Sequence, residues 1–314
     1  MMSAPLPVVN VAVAVVQRSD GCVLLAERPP GKVSGGFWEF PGGKFEIAED
    51  AGRALARELH EEVGIELDTA YPWMTYDHAY ADKVVRLHVF RVLSWRGTPH
   101  GREGQRIVWE DPAAITVAPL LPANQRVMSA INLPPVYAVT HARKYGVSGF
   151  MSRLLAALES GVRLIQVREP WMTTEQVAQF ARRVVVLAHR YRARVLVNGD
   201  VSAALRAGAD GVYLRAEQLM RLRAQPETSF WAASCHGPEE LAQAVRLHAN
   251  FAVVSQVLPS ASHPGRPGLG WDQFAALTRN CAVPVYALGG MRADLLEAAR
   301  RHGAHGVALQ SAVW

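Results

Sequence analysis

Three glutamates, Glu58, Glu61 and Glu62, lie in the run Arg57-Glu58-Leu59-His60-Glu61-Glu62-Val63-Gly64-Ile65, downstream of the glycine pair and lysine Gly42-Gly43-Lys44. On a helix, Glu58 stands three residues from Glu61 and four from Glu62, so the carboxylates share one face. Ala51, Leu55, Leu59 and Val63 can form the opposite, buried face. Like charges so placed repel by about a few tenths of a kcal/mol per pair unless a cation sits between them. Hard oxygen donors of this kind suit Mg²⁺, with Mn²⁺ as an alternative, and leave room for waters and substrate phosphates in the shell. An ordinary solvated acidic helix face is the other reading, and the carboxylates alone leave both open.

The elements that must position this helix belong to the first of two halves. At 314 residues the chain suits about two domains. Leu133-Pro134-Pro135 is a stiff extended connector, because each proline fixes φ and biases its predecessor away from helix. The division is therefore a first domain at 1–132, a proline linker at 133–135 and a second domain at 136–314. Before the linker, β-like runs at Val8 to Val16, Val23 to Leu25 and Val84 to Val92 surround the charged helix. After it, apolar runs at 136–140, 163–169, 193–200, 211–214, 229–236, 251–257, 284–290 and 306–314 alternate with helical stretches. Eight short strands with helices between them predict a compact (β/α)8 barrel, and with it an α/β fold class throughout. The chain stops at Trp314, just after the eighth strand, so no clear closing helix is expected and the first domain is the natural cover for that strand.

Composition narrows the classes of partner. Half of the residues are hydrophobic and 19% are charged, which excludes wholesale disorder. No run of about 18 apolar residues occurs, so no membrane span is expected. The start carries no basic stretch ahead of its apolar residues and reads into a strand, so no signal peptide is expected. Cys22, Cys235 and Cys281 form no C-x-x-C pair, which fits a cytoplasmic protein without a disulfide framework or zinc site. The first 132 residues carry 13 basic and 16 acidic side chains, and the remainder is net basic. Its arginines are scattered, and the densest spot, His189 to Arg194, reads as a solvated helix end. No nucleic-acid polymer is expected as a partner, whereas a phosphorylated small molecule is compatible.

Gly43, Glu49, Arg57-Glu58-Leu59, Glu61-Glu62, Gly64 and Ile65 match every fixed position of the Nudix box, G-x5-E-x7-R-E-U-x-E-E-x-G-U with U aliphatic. The first domain thus resembles the Nudix hydrolases, which implies an α/β/α sandwich that cleaves nucleoside diphosphates linked to another moiety. The resemblance implies that Glu58, Glu61 and Glu62 hold divalent metal. It also implies that Arg57 and Glu49 orient that cluster and that the Gly42-Gly43-Lys44 loop, Gly42 included, lies against metal and phosphates.

The flanks resemble the MutT branch, which sanitises 8-oxo-dGTP and so protects DNA from mutation. Phe37-Trp38-Glu39-Phe40-Pro41-Gly42-Gly43-Lys44, Trp95-Arg96-Gly97-Thr98-Pro99, Glu103-Gly104-Gln105 and Leu121-Pro122-Ala123-Asn124 align with it without a gap. The resemblance implies that Glu103 binds metal or acts as base, and that Phe40 and Lys44 belong to the substrate site. Asn124 alone reads as a helix N-cap; the resemblance makes it the amide that reads the oxidised purine edge. Oxidation at C8 turns N7 from acceptor to donor, and an amide offers both roles. Arg28 is either a surface residue after a strand or a group packed beside the base. The segment Pro29 to Gly36 departs from the branch. The implied reaction is attack of water on the β-phosphorus of an oxidised purine nucleoside triphosphate, with Mg²⁺ neutralising charge and Glu58, Glu61, Glu62 and Glu103 as working carboxylates. The fusion raises a rival substrate, a thiamine-related diphosphate.

The second domain resembles thiamine-phosphate synthase and its relative TenI, a thiazole tautomerase. The matches are Leu164 to Glu169 with Gln166 and Arg168, Val197 to Asp200 with Asn198, Ala209 to Leu214, Ser234-Cys235-His236, Ala287 to Met291 with Gly289 and Gly290, and Gly306 to Ser311 with Gln310 and Ser311. All fall at the carboxyl ends of predicted strands, where barrels place their chemistry. Gly289-Gly290 and Gln310-Ser311 match a backbone phosphate cradle. The synthase's lysine, however, is Pro170, its two Mg²⁺-binding aspartates fall at Gly199 and Gln218, and its T-x-T-K loop reads Ser260-Ala261-Ser262-His263. Synthesis is therefore not expected. A TenI-like tautomerase using His236 as acid or base, a phosphate-ligand-binding module and an assembly module, with homo-oligomerisation among its roles, stay open.

Overall fold

A computed structural model of the chain describes residues 5–260, 265 and 267–314. The chain divides into a unit Met1–Asn132 and a unit Leu133–Trp314. In the first unit, β1 (Val8–Val16), β2 (Val23–Glu27), β3 (Trp38–Glu39) and β4 (Gly42–Lys44) precede the acidic helix α1 (Ala51–Val63). Next come β5 (Glu66–Ala79), β6 (Val84–Arg96), β7 (Ile107–Glu110), a 3₁₀ turn at Pro122–Asn124 and α2 (Gln125–Ile131). One sheet has the order β4-β1-β6-β5 and the other β3-β2-β7. β1 is parallel to β6 and antiparallel to β4, and Ala12 to Val16 are all buried, as expected of a strand covered on both faces.

The boundaries of α1 follow from its end residues. The Asp50 carboxylate accepts from the Gly52 and Arg53 N–H groups, an N-cap that satisfies donors with no partner inside the helix. Gly64 ends it in the left-handed conformation, φ 68°, its N–H donating to His60 O. The buried face is Ala54, Leu55, Leu59 and Val63, with Ala54 in place of the expected Ala51. It packs with Ala12, Ala14, Val16, Leu24 and Val92, leaving the glutamate face outward.

The eight apolar runs of the second half are the eight strands β8 (Val136–Val139), β9 (Leu164–Val167), β10 (Arg194–Asn198), β11 (Gly211–Leu214), β12 (Trp231–Cys235), β13 (Phe251–Ser255), β14 (Val285–Leu288) and β15 (Gly306–Leu309). They pair in parallel and close as β10-β11-β12-β13-β14-β15-β8-β9. The intervening helices are α3 (Ala142–Glu159), α4 (Thr174–His189), α5 (Val201–Ala207), α6 (Ala216–Arg221), α7 (Pro238–Arg246), α8 (Gly270–Thr278) and α9 (Leu296–Arg301). The barrel interior is filled by Tyr137, Leu164, Leu196, Tyr213, Phe251 and Tyr286 among others, so it is a packed core rather than a pore. After β15, Trp314 packs edge-on against Phe150, its indole N–H donating to Val139 O at 2.7 Å. The chain end thus covers part of the barrel's own β8–α3 side. Cys22, Cys235 and Cys281 are free thiols, and among the described residues no helix is long and apolar enough to cross a membrane.

Candidate active site

The box residues meet through Arg57. Its Nε and Nη2 donate to the two Glu49 oxygens at 3.0 and 2.9 Å, and Nη1 donates to Glu58 at 2.9 Å and Glu61 at 3.1 Å. A further Nη2 bond of 2.9 Å reaches the Lys44 carbonyl. All five guanidinium N–H groups are thereby used, and one cation offsets the repulsion along the helix face. Arg57 holds Glu49 below the usual carboxylate range. The glycine pair has steric reasons. A Cβ on Gly43 would lie 2.1 Å from the Glu58 carboxyl carbon, and one on Gly42, at φ 147°, 2.1 Å from Ala12 O. The Lys44 side chain is exposed.

Glu62 points back at the glycines, its Oε2 accepting from Gly42 N at 3.0 Å. Burial raises its carboxyl to about 7, with Glu39, Glu58 and Glu103 pushing in the same direction against the Gly42 bond. Glu58 is also raised, burial outweighing Arg57. Glu103 arrives on a loop sewn to the end of α1: His100 N bonds Val63 O, Arg102 N and the Gln105 amide bond Glu62 O, and Arg102 Nη1 bonds His60 O. The helix's last carbonyls are satisfied by the loop that carries the fourth acid. Glu103 itself is 2.6 Å from Lys32 Nζ.

Alternation along the third strand explains what the expected substrate residues do. Trp38 and Phe40 face inward, each 3% exposed, so Phe40 packs in the core. Glu39 lies between them on the other face, its oxygens 2.6 and 2.7 Å from Arg28 Nη1. Burial raises its carboxyl despite Arg28. Arg28 is thus a partner of Glu39 and of Val33 O at 2.9 Å. Tyr80, raised by burial, lies in the field of Arg28 and Glu39. Glu39, Lys32 and Tyr80 were not singled out from the sequence; for Glu39 the alternation Trp-Glu-Phe held the clue.

Asn124 is 4% exposed and makes no side-chain cap bond to α2, and its Nδ2 has no hydrogen-bond partner among the described residues. Asn124 thus stands at the N-cap position of α2, but its side chain does not cap the helix. The segment that carries Asn124 is pinned to β3 by Trp38 N to Pro119 O and Leu121 N to Trp38 O, and to β5 by Tyr76 OH to Ala123 O.

The chemistry of the first site fits a divalent cation: oxygen donors only, crowded like charges, and a glycine without which Glu58 could not take its place. Among the described residues, no three Asp, Glu, His or Cys side chains stand gathered as a ready cage, since Arg57 and Lys32 hold Glu58, Glu61 and Glu103.

In the barrel, Gln166 and Asn198 are locked together, Asn198 Nδ2 to Gln166 Oε1 and Gln166 Nε2 to Tyr137 OH, both 2.9 Å. His236 turns to Glu240, Nδ1 to Oε2 3.1 Å. Arg168 and Gln310 line an open cleft of about 360 Å³ with Thr140, His141, Arg143 and Trp171, and Ser311 Oγ is 3.3 Å from His141 Nδ1. Gly289 and Gly290 have φ 99° and 67°, and a Cβ on Gly290 would lie 2.6 Å from Pro259 O, so backbone packing alone demands glycine there. The positions of the synthase's aspartates are filled by a neutral contact, Gln218 Nε2 to Gly199 O at 2.7 Å, and Asp200 caps α5 through Ala203 N. These residues do not fit a cation. Ala261, Ser262 and His263 lie outside the described residues.

Residues 12–130 match the NUDIX domain family, and residues 136–313 match the family described as thiamine monophosphate synthase. CTP pyrophosphohydrolase of Escherichia coli is 36% identical over 122 residues, covering 39% of this chain and 90% of that protein. An 8-oxo-dGTP diphosphatase of Haemophilus influenzae is 32% identical over 121 residues, covering 38% and 89%. Thiamine-phosphate synthase of Thioalkalivibrio sulfidiphilus is 31% identical over 183 residues, covering 57% and 87%. The chain therefore belongs to the Nudix family through its first unit and to the thiamine monophosphate synthase family through its second. It is a hydrolase acting on diphosphate bonds, of a family that works with divalent cations.

The raised Glu62 carboxyl gives a pH dependence with a definite sign. Between the ordinary value of 4.5 and about 7 the folded, metal-free protein keeps a proton that the unfolded chain has lost, so its stability falls as pH rises through that window. A cation held by Glu62 would displace this proton. Titration calorimetry with Mn²⁺ should show proton release and an affinity that climbs with pH up to about 7 and levels above it. A pH-independent affinity would contradict the assignment.

Proposed function

We propose that the first unit is a Mg²⁺-dependent nucleoside triphosphate pyrophosphohydrolase whose substrate is 8-oxo-dGTP or its ribonucleotide. The observation that carries the base assignment is the buried, unpartnered amide of Asn124. A buried donor without a partner costs about 1–3 kcal/mol, and a base edge offering a matching acceptor relieves that cost. With its carbonyl free to accept, the same amide takes the N7–H that only the oxidised purine presents. A site built on such a bond rejects the unoxidised base strongly.

Glu58, Glu61, Glu62 and Glu103, with the Gly42 carbonyl, would hold the cation, and Arg57 keeps the helix acids in register. The bound cation supplies charge neutralisation on the phosphates. Water forms a bond to the β-phosphorus, the bridging bond from that phosphorus to the α-phosphate oxygen breaks, and nucleoside monophosphate leaves with pyrophosphate as the other product. The water's proton passes to one carboxylate of this set. Lys44, exposed beside the glycine pair, meets the phosphate chain.

A second substrate reading, CTP, is favoured by the E. coli relative of that name. A cytosine edge also offers a donor beside an acceptor, so an amide alone does not exclude it. For the barrel, the neutral Gln218–Gly199 contact supports a domain that does not carry out thiamine phosphate synthesis and that binds a phosphorylated ligand in the cleft beside Arg143 and Arg168.

Steady-state kcat/KM for 8-oxo-dGTP, dGTP, CTP and thiamine diphosphate decides among the substrates. We expect 8-oxo-dGTP to lead dGTP by orders of magnitude, and Asn124→Ala to collapse that ratio; a lead for CTP or thiamine diphosphate would overturn the base assignment. For the barrel, thiazole or pyrimidine phosphate at a hundred times Kd should stabilise the protein by about 2.7 kcal/mol. No rise in Tm with either would contradict the binding role.

A further inference from the structure

The segment Pro29 to Gly36, which departs from the MutT pattern, is a built loop. Arg28 N donates to Phe37 O, Gly36 N to Arg28 O, Gly35 N to Lys32 O and Phe37 N to Ser34 O. Arg28 clamps it from inside, its Nε on Val33 O while Nη1 holds Glu39. The loop therefore presents Lys32 from a fixed base. Lys32 Nζ lies 2.6 Å from Glu103 Oε2, a residue 71 positions away. Its charge is also felt by Glu39 and Glu62. One ammonium thus stands amid three acids of the site.

We propose that Lys32 is a substrate-binding residue that determines specificity for the polyphosphate chain: it neutralises Glu103 in the metal-free protein and passes to the substrate's terminal phosphates once a cation takes Glu103. The inference rests on the reading of the glutamates as a cation site. At 2.6 Å the ammonium occupies Glu103 Oε2, and its positive charge opposes a divalent cation on the same carboxylate, so the two compete. The released ammonium has no other carboxylate contact among the described residues. It keeps three donors on a flexible four-carbon stem, which suits a phosphate chain of variable geometry. The Lys32 and Glu103 side chains are half exposed, 51% and 42%. Such a pair is weak, so handing the ammonium over meets little resistance.

The test uses the full chain with Lys32→Met, which keeps the stem and removes the charge, and Lys32→Arg. Mn²⁺ binding without nucleotide is followed by electron paramagnetic resonance, and KM and kcat are measured for nucleoside triphosphate and diphosphate. We expect Lys32→Met to bind Mn²⁺ severalfold more tightly. Its KM for triphosphate should rise by about tenfold to a hundredfold, the loss of one charge-assisted hydrogen bond, with a smaller change for diphosphate and kcat nearly unaltered. Lys32→Arg should restore most of the triphosphate KM. If wild type binds Mn²⁺ and hydrolyses triphosphate while Lys32→Met matches it in both Mn²⁺ affinity and KM, the pair is an inert surface contact and the proposal falls. A loss of kcat at unchanged KM would also overturn it. A wild-type protein that binds no Mn²⁺ would overturn the cation-site reading together with the proposal.

Discussion

One guanidinium holds the first unit's site together. Arg57 spends all five of its N–H groups on Glu49, Glu58, Glu61 and the Lys44 carbonyl, and in doing so ties the loop after β4 to the outward face of α1. Without a cation at that point, the acids would repel along the helix and the glycine loop would lose its fastening. A lysine could not substitute, because a point charge cannot satisfy a forked set of acceptors. The rest follows in order: the apolar face of α1 fixes the helix on β1, Gly43 lets Glu58 approach, and the loop of residues 100–105 caps the helix end and delivers Glu103.

The two units of the chain treat charge in opposite ways. The first concentrates carboxylates and restrains them with a few cations and N–H groups, leaving Glu58, Glu62 and Glu39 raised by burial. Such a set is costly to maintain unless something bound makes use of it. The barrel has gone the other way. Where the synthase pattern calls for acids, Gln218 and Gly199 bond to one another, and Gln166, Asn198 and Tyr137 satisfy one another across the strand ends. Two of its cations, Arg143 and Arg168, line the open cleft together with Glu169.

Much of the fold was readable because it rests on local rules. Eight apolar runs separated by helical stretches became eight parallel strands, and Asp50 and Gly64 mark the ends of α1 by capping chemistry alone. The Nudix box was readable for the same reason: its spacing is helical and its glycines sit where a Cβ would collide. What escaped depends on which of several possible partners or faces a side chain takes in the folded chain. Nothing local says that Lys32 meets Glu103, 71 positions away. His236 has Glu240 within reach at i+4, but the sequence pattern alone does not choose that partner over a ligand. Trp38 and Phe40, two apart, share the buried face and leave Glu39 on the other, which the sequence reading did not single out. The end of the chain is similar: that Trp314 would close over Phe150 and Val139 required the three-dimensional fold.

If the carboxylate set on α1 and its capping loop directs water to the β-phosphorus of a nucleoside triphosphate, the solvent oxygen must end up in pyrophosphate. Hydrolysis in ¹⁸O-enriched water, with the products analysed by phosphorus NMR or mass spectrometry, tests it most directly. Attack at the β-phosphorus yields unlabelled nucleoside monophosphate and one ¹⁸O atom in pyrophosphate. Label in the monophosphate, or release of inorganic phosphate with nucleoside diphosphate, would contradict it.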